Sequence, residues 1–272
     1  MLAAALCGAA PPKPKQLAVV RPTLHQFEGG PTLPASFEFL PGDTVFLTFS
    51  VSGFQSSEKD EVRIEYRIEA SDPKGVALAA PHSGKVEAEL APEDKNWLPK
   101  ARHSVLVPPF ASSGVYRLSL AVKDLLSGSQ AQQEVNFNVR GRQVEPSDTL
   151  VVRNFRFLRG EEDTDPLAVA AYRPGDAVWA RFEIIGYKYG PKNRVEVSYG
   201  VAVLRPNGEQ LYSEPNAAEE KQESFYPQRY VPGILSLKLD PDIFKGEYTI
   251  VLSVRDGVGN QTSELRQAFK IE

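Results

Sequence analysis

The chain has one cysteine, one methionine and three histidines among its 272 residues. A lone cysteine, Cys7, makes no intrachain disulfide and offers no thiol pair for metal or redox chemistry. His25, His82 and His103 all fall in the first half, scattered in turn-like or strand-edge contexts. The nucleophile-and-base arrangement of covalent catalysis therefore has no visible seat. The patterns G-x-S-x-G, H-E-x-x-H and C-x-x-C and the phosphate-binding glycine loop do not occur. Past the first residues, no run is long and apolar enough to cross a bilayer as a helix. A basic stripe is missing too. The 31 Lys and Arg are interleaved with 35 Asp and Glu at a formal net charge of -4, which argues against nucleic acid as a partner. These gaps predict a protein that is not an enzyme and holds neither cofactor nor metal.

What the sequence does have is turn formers. The 22 prolines and 20 glycines punctuate the chain instead of clustering, as an all-β protein with many turns requires. The stretch Gly114 to Asp124 carries apolar residues at Tyr116, Leu118, Leu120 and Val122, with mostly polar or small ones between. That alternation marks a half-buried strand. The stretch recurs as Gly246 to Asp256, with Tyr248, Ile250, Leu252 and Val254.

The recurrence extends over most of the chain. At an offset of 133, Pro41-Gly42-Asp43 matches Pro174-Gly175-Asp176, and Val45, Leu47, Phe49, Val51 match Val178, Ala180, Phe182, Ile184. Val62, Ile64, Tyr66, Ile68 match Val195, Val197, Tyr199, Val201, and Trp97-Leu98-Pro99 is aligned with Tyr230-Val231-Pro232. After that the offset becomes 132 through Tyr116/Tyr248 and Phe137/Phe269. Such sustained register is the signature of an internal repeat. Each copy offers about seven short strands in ~120 residues, the pattern of an antiparallel sandwich.

On these residues each copy resembles the bacterial immunoglobulin-like and fibronectin type III-like domains. The segment Tyr248 to Asn260 resembles their late strands, and Tyr116 and Tyr248 resemble their tyrosine corner. The resemblance implies two tandem all-β immunoglobulin-like sandwiches and leaves function open, since such sandwiches host unrelated roles. The expected layout is a leader at 1–15, one domain at 16–140, a linker at 141–149 and a second domain at 150–272. Leu2 to Ala10, followed by Pro11-Pro12, reads as the end of a secretory signal peptide. Leu6 before Cys7 argues against lipid attachment. A secreted or periplasmic bacterial protein is the expectation.

Candidate binding residues come from comparing the copies. A ring present in both is read as core: Phe49/Phe182, Phe54/Tyr187, Tyr66/Tyr199, Trp97/Tyr230, Tyr116/Tyr248 and Phe137/Phe269. Tyr189, Tyr212, Phe225 and Tyr226 have no ring partner; their counterparts are Ser56, Ala79, Pro92 and Glu93. They are read as lying in turn-rich stretches, free to stack on a sugar or anchor a protein, or else to seal a loop onto its own sheet. Phe46 and Trp179 point away from the apolar face of their strands and invite a cover. Asp124 and Asp256 are read as turn residues that bind local N–H groups. The acidic run Glu161 to Asp165 reads as a solvated loop, not a calcium site. The function expected is binding or spacing, with a protein or cell-envelope component as partner and polysaccharide as the second candidate.

Overall fold

The computed structural model describes residues 16–94 and 96–272. The leader, with the signal-peptide and Cys7 readings, lies outside them. The chain divides into two units, 1–142 and 143–272.

In the first, β1 (Ala18–His25), β3 (Thr44–Ser52) and β6 (Lys100–Leu106) form a three-stranded sheet in the order β1-β3-β6. Against it lies a five-stranded sheet of β2 (Glu38–Phe39), β8 (Gln130–Val139), β7 (Gly114–Asp124), β4 (Glu61–Ser71) and β5 (His82–Glu89), in that order. The alternation of the sequence becomes the inside and outside of this sandwich. Val45, Leu47, Phe49 and Val51 of β3 face Val62, Ile64 and Ile68 of β4 and Tyr116, Leu118, Leu120 and Val122 of β7, all buried. The intervening Arg63, Glu65, Arg67 and Glu69 meet water and pair there, as in Arg67–Glu69 at 2.6 Å. Exposed pairs of this kind contribute little stability.

The second unit repeats the plan. Its three-stranded sheet runs β14 (Val231–Lys238), β11 (Ala177–Ile185), β9 (Val151–Leu158). Its five-stranded sheet runs β10 (Ala171–Tyr172), β16 (Gln261–Ile271), β15 (Gly246–Asp256), β12 (Val195–Leu204), β13 (Gln210–Gln222). The fold is two tandem sandwiches, with eight strands each among the described residues in place of the expected seven or so. The additional pair, β2 and β10, are two residues long and pair in parallel with β8 and β16. Two residues are too few to show a period.

Both copies keep the tyrosine corner. Tyr116 donates its hydroxyl to the Ser112 carbonyl at 2.9 Å, and Tyr248 donates to Phe244 at 2.8 Å. The glycine opening each of these strands is required. At Gly114 and Gly246 a Cβ would come within 2.6 and 2.7 Å of the Pro73 and Pro206 rings, and φ is +151° at both.

The register corrects one detail of the repeat. Phe49 faces Ala101 and Phe182 faces Gly233, so β6 and β14 are already related by 132. The end of β5 and the end of β13 are related by 134, as Ala88 faces Val62 and Gln222 faces Val195, so a two-residue deletion lies in the loop before β6. Leu98, not Trp97, is the positional counterpart of Tyr230. The deletion falls among residues with no alternation, so sequence alone could not place it.

Candidate functional site

At the end of sandwich 1 where β3 leaves the sheet, Gly53 sits at φ +72° with Gln16 O only 2.1 Å from where a Cβ would be. The chain can turn under the incoming strand only with glycine there. The turn sets Phe54 and Gln55 at the rim. Gln55 is then fixed from across the sandwich, its main-chain N–H donating to Asp124 Oδ2 at 2.9 Å. The same carboxylate accepts Leu126 N–H at 3.0 Å and the Ser127 hydroxyl at 2.7 Å. Burial alone would raise the Asp124 pKa, but the donors, Gln55 foremost, outweigh it and hold the carboxyl below its usual value.

The third wall is the loop between β5 and β6. Asp94 accepts Ala91 N–H at 2.9 Å, and Trp97 N–H donates to the Asp94 carbonyl at 2.9 Å. Leu90 N–H donates to the Asp60 carbonyl, tying this loop to the one after β3. Trp97 meets Phe54 edge to face, centroids 6.1 Å apart at 85°. Between the loops lies a cleft of about 1020 Å³, lined among others by Phe54, Gln55, Asp60, Asp94, Trp97 and Ser129. Phe54 and Trp97 are half-exposed, so they line a cleft and do not fill the core as their apparent pairing implied.

The equivalent end of sandwich 2 is closed by its own side chains. Gly186 repeats Gly53, and Lys188 N–H donates to Asp256 Oδ2 at 2.9 Å just as Gln55 does to Asp124. Here, however, Tyr187 is buried and Tyr189 packs edge-on against it at 5.6 Å. Both hydroxyls donate to the main-chain carbonyl of Gln228, itself buried. Burial raises the pKa of both phenols. Tyr226 is only 8% exposed, with the Arg229 guanidinium 5.9 Å from its ring centre. Asn193 Nδ2 donates to the Phe225 carbonyl at 2.7 Å.

The ring residues singled out by sequence thus fall into different places. Tyr226 is buried, its loop folding it inward with Arg229 over its ring, which is the sealing alternative of the two readings. Tyr189 is 42% exposed but has its hydroxyl tied down. Phe225 remains 57% exposed. Tyr212 lies not in a turn but in β13, opposite Val203, its hydroxyl donating to Glu214 at 2.7 Å. Phe46 and Trp179 are half-buried on the outer faces of their sheets. Phe46 stands in register with His25 and Ser104, and Trp179 with Leu158 and Ser236.

The histidines are not scattered. All three line one groove of about 280 Å³ with Phe46. His82 of β5 and His103 of β6 stack at 4.2 Å and 13°, bridging the two sheets at their open flank. Nothing in the sequence links residues so far apart. Glu161 to Asp165 is exposed throughout, and among the described residues no cluster of His, Cys, Asp and Glu is arranged to hold a metal ion.

No family model matches the sequence, and no curated protein matches it. Solved structures do. The C-terminal domain of the Streptococcus agalactiae AgI/II polypeptide BspA is 11% identical, covering 94% of this chain and 99% of its own at a TM-score of 0.31. The C-terminal domain of the Streptococcus pyogenes antigen I/II-family protein AspA is 10% identical, covering 96% and 100% at 0.33. At these values no residue or role is carried from either to this chain.

Proposed function

We propose that this chain is a non-catalytic, secreted or periplasmic binding protein that engages its partner through the loop end of sandwich 1, with sandwich 2 as a closed scaffold and spacer. The observation behind this is the contrast between the copies. The same Gly, the same aromatic position and the same buried Asp frame both ends, yet one is sealed by its own tyrosines and the other is left open. Concave sites walled by aromatic side chains with a few placed polar groups are where ligands bind. Rigid strands and a buried carboxylate hold the three loops, so the site is pre-formed and loses little entropy on binding.

The test is retention of wild-type, Trp97→Ala and Trp179→Ala proteins on envelope fractions of the source organism. Loss with Trp97→Ala alone, at unchanged melting temperature, supports the cleft. Equal retention by all three would move the site elsewhere.

A further inference from the structure

Sandwich 2 indicates what the cleft of sandwich 1 is built to receive. Where sandwich 2 places Tyr189, Phe225 and Tyr226, sandwich 1 has Ser56, Ala91 and Pro92, since the register relates β5 to the end of β13 by 134. The supporting frame is kept while the rings that would fill it are gone. Resting on the cleft reading above, we propose that the site takes a tyrosine side chain presented by a short peptide segment of a protein partner, flanked by basic residues.

Three observations favour that occupant. First, the Phe54–Trp97 pair is edge-to-face at 85°. It forms a corner and not a flat platform. A corner suits a third ring arriving edge-on, whereas a sugar ring stacks on one exposed aromatic face. Second, in sandwich 2 the added ring, Tyr189, makes this kind of contact with Tyr187 and ends on a hydrogen-bond acceptor. In the cleft the carboxylates of Asp60 and Asp94 and the hydroxyl of Ser129 lie along the wall. Third, those two carboxylates favour cationic neighbours in the bound segment, and about 1020 Å³ leaves room for more than one side chain.

The experiment uses the full chain carrying Trp179→Phe, which leaves Trp97 as the sole tryptophan. Its emission is titrated with the capped tripeptide Lys-Tyr-Lys, with Lys-Ala-Lys, and with cellohexaose and chitohexaose, each to roughly 10 mM. A saturable change with Lys-Tyr-Lys and none with Lys-Ala-Lys is expected. Adding Ser56→Tyr with Pro92→Tyr should fill the cleft from within and weaken binding about tenfold or more. Should that variant melt early, the exposed change Asp60→Asn serves instead, with about threefold weaker peptide binding expected. Binding of an oligosaccharide and not of Lys-Tyr-Lys would overturn the tyrosine assignment while leaving the cleft as the site. No response to any probe, together with envelope retention that ignores Trp97→Ala, would overturn both.

Discussion

Asp124 Oδ2 accepts the main-chain N–H of Gln55 across 69 positions of sequence, and Asp256 accepts that of Lys188 across 68. One buried carboxylate thus joins the turn after β7 to the loop after β3, and the second sandwich does the same after β15. Asp124→Asn keeps the size but replaces one accepting oxygen with an amide nitrogen. Each donor left unmatched costs about 1–3 kcal/mol, so sandwich 1 should lose about that much in chemical denaturation. An unchanged midpoint would show that the Gln55 contact is dispensable.

The same carboxylate sets an acid limit. Its pKa is lower folded than in a free carboxyl, so its stabilisation is complete above the ordinary value near 3.8 and is lost as pH falls through the lower folded value. Melting temperature should fall steeply there in the wild type and more gently in Asp124→Asn.

His103 predicts a separate, milder window. Burial, and then the neighbouring charge of His82, lower its pKa from 6.5. The folded state therefore prefers neutral imidazole, and stability is complete above pH 6.5 and declines as pH falls through the lowered value. His25, Glu28, Arg102 and Tyr66 surround the pair. Sandwich 2 contains no histidine and is an internal control. Expressed alone, half 1 should lose melting temperature between pH 7 and pH 5 and half 2 should not, while His103→Phe flattens the slope.

Tyr248 is the ring most firmly required by the second sandwich, fully buried with its hydroxyl on Phe244. Tyr248→Ala should cost about 3–5 kcal/mol, and Tyr248→Phe about 1–3 for the carbonyl left behind. Equal effects from the two changes would place the whole cost in the hydroxyl.

Tyr226→Ala with Tyr189→Ala should destabilise sandwich 2 by about 2–5 kcal/mol, since one ring is buried and the other tied to Gln228. A double variant with unchanged melting temperature would mean that the rings are free to serve a ligand.

The strands were legible because each side chain in a half-buried strand answers to its own position: Val45 is inside and Phe46 outside whatever else is nearby. Tyr116 and Tyr248 could be read for the same reason, their acceptors lying four residues upstream. The cleft could not be read so directly. Phe54 and Trp97 were classed as core because each seemed matched by a ring in the other copy, yet the Trp97 match rested on a register one residue out. The sequence signal was the converse one, Ser56 standing where the other copy has Tyr189, while the register puts Pro92, not Glu93, opposite Tyr226. The stacking of His82 on His103 depends on two edge strands meeting across the sandwich, a tertiary relation without any local pattern. The same holds for the bulges at Arg21 and Asn154, both at positive φ.

The two-residue strands β2 and β10 have a mechanical meaning. Each lies near the beginning of its sandwich and pairs in parallel with the final strand, extended by hydrogen bonds such as Arg140 N–H to Phe39 O and Glu272 N–H to Tyr172 O, both 2.9 Å. Tension along the chain pulls the two members of such a pair in opposite directions along their length. Their bonds are loaded together in shear, not peeled one after another. In a tether under flow, both sandwiches should therefore hold their shape until the short parallel pair gives way. Stretching single molecules would show this as one abrupt rupture per sandwich; gradual lengthening would exclude it.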